Sequence, residues 1–148
     1  MRRRQFICLA VAALAAPAAK ASETTMTVHK DPFCGCCEAW ASAYEAAGYR
    51  VTIHDEADMD AVKTRLHVPA SLQGCHTAII DGYYLEGHVP LEAVGRLLRE
   101  RPALAGLAVA GMPRGSLGMG QDPSASYEVM AVSRDGSAPY LFLAVKPR

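Results

Sequence analysis

Twelve residues limit what the rest of this chain can become: Thr27-Val28-His29-Lys30-Asp31-Pro32-Phe33-Cys34-Gly35-Cys36-Cys37-Glu38. Met26 and Val28 alternate through a short strand, Thr25 to His29. Asp31-Pro32 ends it, because proline removes a ladder donor and restricts the residue before it. From Cys36 to Ala47 the chain is rich in Ala and Glu, with Trp40, Ala43, Tyr44 and Ala47 at helical spacing, and Gly48 stops it. Three thiols in four positions therefore sit where a strand gives way to a helix. Sulfur at that density is not core filling. It makes a disulfide, attacks one, or holds a soft metal ion.

The remaining pattern continues the same alternation of elements. Tyr49 to His54 reads as a second strand, and Asp58 caps a second helix through Met59, Val62 and Leu66 that ends before Pro69. Gly74-Cys75-His76 leads into an apolar third strand, Thr77 to Ile80. Asp81-Gly82 is a two-residue hairpin signal, so Tyr83 to Glu86 should fold back antiparallel. Pro90 opens a third helix carrying Leu91, Val94, Leu97 and Leu98. Ala105 to Ser126, with five glycines and two prolines, reads as loop. Tyr127 to Ser133 and Tyr140 to Val145 form a last hairpin around Asp135-Gly136. The order β-α-β-α-β-β-α predicts an α/β domain with a mixed sheet and a C-terminal hairpin extension.

The first residues stand apart from this domain. Arg2, Arg3 and Arg4, the apolar run Ile7 to Ala16, and Ala19-Lys20-Ala21 have the layout of a cleavable export signal, residues 1–21. Arg3-Arg4-Gln5-Phe6-Ile7 also fits a twin-arginine signal, so the twin-arginine and general secretory routes both remain open. The expected destination is the periplasm, with residues 22–148 as one folded domain and no membrane span left after cleavage. Removal of the signal takes four of the fifteen basic residues and none of the fifteen acidic ones, leaving a formal charge of −4 on 127 residues. Such a chain, without a basic run, gives no reason to expect nucleic acid as a partner. Cys8 leaves with the signal, so Cys34, Cys36, Cys37 and Cys75 remain.

Cys34 to Cys37 is a C-x-x-C between strand and helix, and it resembles the redox motif of the thioredoxin fold. The free N–H groups and dipole of a helix start favour thiolate there. Two departures point away from protein disulfide exchange: Cys36 lies inside the motif, and His76 stands where that fold has a cis-proline. With Cys-Gly-Cys-Cys, Gly74-Cys75-His76-Thr77, Glu86-Gly87-His88-Val89-Pro90 and Gly111-Met112-Pro113-Arg114-Gly115-Ser116-Leu117-Gly118-Met119 in order, the chain is similar to the CopG-like periplasmic metal-binding proteins of bacterial copper-resistance operons. The resemblance spans about residues 26–132. It implies a thioredoxin-like fold, copper held by Cys34, Cys36, Cys37 and Cys75, and a copper redox role. The His and Met positions of the motifs, His76, His88, Met112 and Met119, carry over as further candidate ligands.

Plainer roles compete at each position. The cysteines would serve as a structural disulfide in an oxidising compartment; vicinal Cys36–Cys37 bonding is strained, so the pair would be Cys34–Cys37, or either with Cys75. His88 lies near a helix start, and Met112 and Met119 would equally seal the sheet. His29, His54 and His67 read as ordinary strand or surface residues, and Glu38 as a partner of the helix dipole. Thiolate, thioether and imidazole together make the ligand set of Cu(I), and three crowded thiols favour more than one sulfur-bridged ion. Zinc accepts the same atoms. A thiol or copper oxidoreductase using Cys34 and Cys37 is the competing class. Metal ions and other periplasmic copper-handling proteins are the expected partners.

Overall fold

The computed structural model describes residues 24–147, so the expected export signal lies outside the described residues. In chain order the elements are β1 (Thr25–Lys30), α1 (Gly35–Ala46), β2 (Arg50–Asp55), α2 (Met59–Arg65), β3 (His76–Ile80), β4 (Tyr83–Glu86), α3 (Leu91–Glu100), β5 (Leu104–Ala108), β6 (Tyr127–Ser133) and β7 (Tyr140–Val145). One 3-10 turn, Ala70–Leu72, precedes β3. They build a seven-stranded sheet in the order β2-β1-β3-β4-β5-β6-β7. β1 pairs parallel with β2 and antiparallel with β3, and β4 returns antiparallel on β3. That order and those directions are the thioredoxin-like core, and the C-terminal hairpin extends the same sheet.

Strand alternation sorts side chains to the two faces. Met26, Val28, Ala78, Ile80, Tyr83 and Leu85 join Trp40 and Tyr44 of α1 and Val94 and Leu97 of α3 in the main core. Tyr84 points the other way, into a smaller cluster with Val68 and Val132. The buried stripe of α1 runs Cys37, Trp40, Ala41, Tyr44; Ala47, expected on that face, caps the helix and is exposed.

The reading of Ala105 to Ser126 as loop is corrected at its start. Leu104–Ala108 is β5, parallel to β4 and antiparallel to β6, and it is the link between the core and the final hairpin. Its sequence, Leu-Ala-Gly-Leu-Ala, has no β-branched residue, so propensity conceals it. Tertiary pairing decides instead. Gly106 lies opposite Tyr84, and a Cβ there would come within 2.6 Å of the tyrosine ring. Glycine is the residue that lets the two strands meet.

This contrast yields a prediction of opposite signs. Gly106→Ala should destabilise the fold by about 1–3 kcal/mol through overpacking. Gly95→Ala in α3, where the added methyl meets only the movable end of Arg99 at 3.3 Å, should stabilise it by about 0.5–1 kcal/mol. Urea unfolding of both variants checks the signs.

Candidate metal centre

The cysteine cluster begins where β1 ends. Asp31 folds the chain into a turn, accepting from Phe33 N at 2.8 Å through its side chain and from Cys34 N at 3.1 Å through its carbonyl. Lys30 holds this turn from beneath, its Nζ donating to Asp31 O at 3.2 Å and Pro32 O at 3.4 Å. Its side chain is only 2% exposed, while its ammonium reaches toward the surface to Asp55 (2.9 Å) and Glu38 (3.3 Å). The hydrogen bond to Asp55, ahead of that to Glu38, raises its pKa against the opposing effect of burial. Cys34 then stands at the N-cap of α1 with no side-chain cap bond, leaving the sulfurs at the open helix start.

Cys34 and Cys37 form a disulfide, and Cys36 and Cys75 are free thiols. Cys36 Sγ lies 3.5 Å from Cys34 Sγ and 3.8 Å from Cys75 Sγ, so the facing strand entry does close on the helix start. Cys75 Sγ in turn is 3.4 Å from His76 Nδ1 and 2.9 Å from His88 Nε2. Two donor groups result: Cys34, Cys36, Cys37 and Cys75, and Cys75, His76 and His88, each with its ligand atoms within 4.8 Å of one another. Cys75 belongs to both.

The two histidines are fully buried. The Leu117 carbonyl accepts from His88 Nδ1 at 2.7 Å. A carbonyl only accepts, so the proton sits on Nδ1 and the Nε2 lone pair faces Cys75. His76 packs on the Trp40 ring at 4.4 Å between centroids, and among the described residues its Nε2 has no hydrogen-bond partner. Burial drives its pKa down to about 3, helped by His88 and Lys63, and burial also lowers that of His88. Both rings are thus neutral, the form that ligates metals. Burial pushes the Cys75 thiol up to about 12, with the sulfur of Cys36 adding to the effect.

The glycine-rich loop covers this site by its backbone. Gly111 N donates to Gln73 O at 3.0 Å. A Cβ on Gly118, whose φ is +92°, would lie 2.7 Å from Cys36 O and 2.9 Å from Trp40 N, so the loop rests on the first turn of α1. Met119 is half-buried beside that contact, whereas Met112 is 56% exposed. Glu38 pairs with Lys30. His29 stacks on His54 and binds Glu56 at 2.7 Å, while His54 and His67 are exposed.

The sequence reading missed a second network behind the site. Glu86, Lys63 and Thr77 are all buried, and Glu86 accepts from Lys63, from Thr77 Oγ1 at 2.6 Å and from Gly74 N at 2.7 Å. One signal existed: in Tyr83-Tyr84-Leu85-Glu86 a carboxylate ends an apolar strand and must find a partner if buried. That the partner would be Lys63 is not written locally.

A thioredoxin-like domain with a cysteine–histidine donor cluster at its strand-to-helix junction is the class these features define. Residues 72–119 match the family described as "Protein of unknown function, DUF411". Over 85% of this chain and 99% of the other, it is 45% identical to a solved structure titled "Copper resistance protein copG- Form 1", with a TM-score of 0.78. To "Copper resistance protein copG- Form 2" it is 46% identical over 83% of this chain and 98% of that one, with a TM-score of 0.76. The chain belongs to this CopG-like family. No curated protein sequence matches it.

Thiol labelling tests the arrangement. In the unreduced chain starting at Ser22, iodoacetamide should modify two cysteines, Cys36 before Cys75, since the raised pKa leaves little Cys75 thiolate at neutral pH. After reduction four should label. Peptide mass spectrometry follows both, and labelling of Cys34 or Cys37 without reductant would contradict the pairing.

Proposed function

We propose that the chain is a periplasmic copper-binding protein that holds Cu(I) in its cysteine cluster and serves copper resistance. The observation that carries this reading is the convergence of four Sγ atoms within 4.8 Å of one another, with Cys75 shared by two buried imidazoles. The donor chemistry fits: soft thiolates select Cu(I), imidazole suits copper, and the buried His76 ring turns its Nδ1 to 3.4 Å from Cys75 Sγ. Copper is here the cargo. Reduction of the Cys34–Cys37 disulfide by an external dithiol, which gives up two electrons and two protons and becomes a disulfide itself, frees all four sulfurs. Two donor groups joined at Cys75 support more than one ion bridged by sulfur, because a thiolate has lone pairs for two. Cys34, Cys36, Cys37, Cys75, His76 and His88 are the proposed ligands, with Met119 and Met112 on the covering loop as outer ones. Zinc would compete for the same atoms. The solved relatives, titled copper resistance proteins, favour copper.

The disulfide at the start of α1 favours one second reading, a thiol or copper oxidoreductase that cycles Cys34 and Cys37. Cys36 separates the two. Anaerobic titration of reduced protein against a Cu(I) chelator should saturate above one copper per chain, with a short copper–copper distance by X-ray absorption. Cys36→Ser should weaken Cu(I) binding by more than about 100-fold, beyond the about 10- to 100-fold that loss of a supporting group costs. Unchanged affinity with intact disulfide reduction would favour the oxidoreductase.

Export is proposed on the basic, apolar and small-residue layout of residues 1–21. Protein recovered from the periplasm should have an intact mass that begins at Ser22. A full-length chain in the cytoplasm would overturn the location.

A further inference from the structure

We infer that Glu86 is the positioning residue of the site: its buried carboxylate holds the Gly74 backbone and so sets Cys75 Sγ against Cys36 and His88. Glu86 is 0% exposed and ends β4 on the face of the sheet away from α1, with Tyr84. Lys63 from α2 and Gly74 N from the loop before β3 meet at its Oε1, and Thr77 Oγ1 donates to its Oε2. Lys63 Nζ also donates to Thr77 Oγ1 at 3.1 Å. Three chain segments are tied to one carboxylate.

A buried ion pair is a weak source of stability, because desolvating both charges offsets most of their attraction, and apolar replacements often serve as well. What an apolar side chain does not offer is an acceptor for the Gly74 N–H. That N–H lies one residue before Cys75, whose sulfur must meet Cys36 at 3.8 Å and His88 at 2.9 Å. The chain leaves β4 and reaches His88 two residues after Glu86, and Gly87 N is bonded to His76 O at 2.9 Å. One short segment, the end of β4 and the bend after it, therefore carries both the carboxylate that aims Cys75 and the imidazole it is aimed at. Lys63 supplies the counter-charge that a carboxylate at this depth requires. Groups behind ligating residues commonly act this way on metal affinity.

The consequence for copper rests on the proposed Cu(I) site; the placement of Cys75 does not. Lys63→Met with Glu86→Gln removes both charges but keeps an acceptor for Gly74 N–H. Lys63→Met with Glu86→Leu removes the acceptor too. In unreduced protein, the ratio of Cys75 to Cys36 alkylation rates should be severalfold higher in the leucine form than in the glutamine form, the loss of Lys63 being common to both. In reduced protein, the leucine form should bind Cu(I) about 10- to 100-fold more weakly than the glutamine form. In a Cys75→Ser background that difference should vanish. Equal alkylation ratios in the two forms, or a copper difference that persists without Cys75, would overturn the inference. Absence of Cu(I) binding by the unsubstituted protein would sink the copper reading alone, leaving the alkylation ratio to decide. If the leucine form does not fold, Glu86→Met with Lys63→Met gives the same contrast.

Discussion

The carbonyl oxygen of Val89 accepts two buried hydrogen bonds, from Trp40 Nε1 at 2.9 Å and Tyr44 Oη at 3.0 Å. Both donors stand on α1, the helix that begins in the cysteine cluster, and Val89 follows His88. The pair of bonds thus joins the half of the site carried by α1 to the half carried by β4 and the loop after it. Two large aromatic side chains are fully buried to make them, so the contact combines apolar burial with satisfaction of polar tips that would otherwise be costly. His76 lies against the same Trp40 ring, which extends the contact to β3.

On this base each thiol-bearing loop has its own buried lysine. Lys30 collects the carbonyls of Asp31 and Pro32 ahead of Cys34, and Lys63 neutralises the carboxylate that holds Gly74 ahead of Cys75. The two lysines lie on opposite faces of the sheet, one toward α1 and one reached from α2. Loops that must present sulfur at a set distance are otherwise poorly fixed, because few of their backbone groups pair with neighbouring strands. Charge-assisted hydrogen bonds to their backbones limit that freedom. His88 is fixed by a neutral hydrogen bond to the Leu117 carbonyl, which also sets its tautomer.

Most of the core and half of the site were legible along the chain. The β-α-β-α-β-β-α order followed from periodicity and turn residues, since Asp81-Gly82, Pro90 and Asp58 each do one local thing, and the thioredoxin-like fold from the resemblance. The Cys34–Cys37 pairing was among the expected ones, and the loop before β3 brings Cys75 against that cluster. β5 was not legible, because a five-residue stretch of Leu, Ala and Gly has no strand signature until Tyr84 packs on Gly106. Nor was the depth of Lys30 and Lys63, for lysine on a strand or short helix reads as solvent-facing.

The sequence by itself determined which atoms are available: three sulfurs at a helix start, a fourth before β3, and histidines beside and beyond it. Their spacing along the chain is a covalent fact, and the elements around them follow from local sterics and hydrophobic period. Only the tertiary structure decided which of those atoms meet. Cys36 and Cys75 are 39 residues apart and their sulfurs 3.8 Å apart, a distance set by β1 pairing with β3. Likewise the Lys63, Thr77 and Glu86 network depends on α2, β3 and β4 packing together. Long-range pairing of this kind comes from burial and register acting across the whole sheet, and no local window of residues contains it.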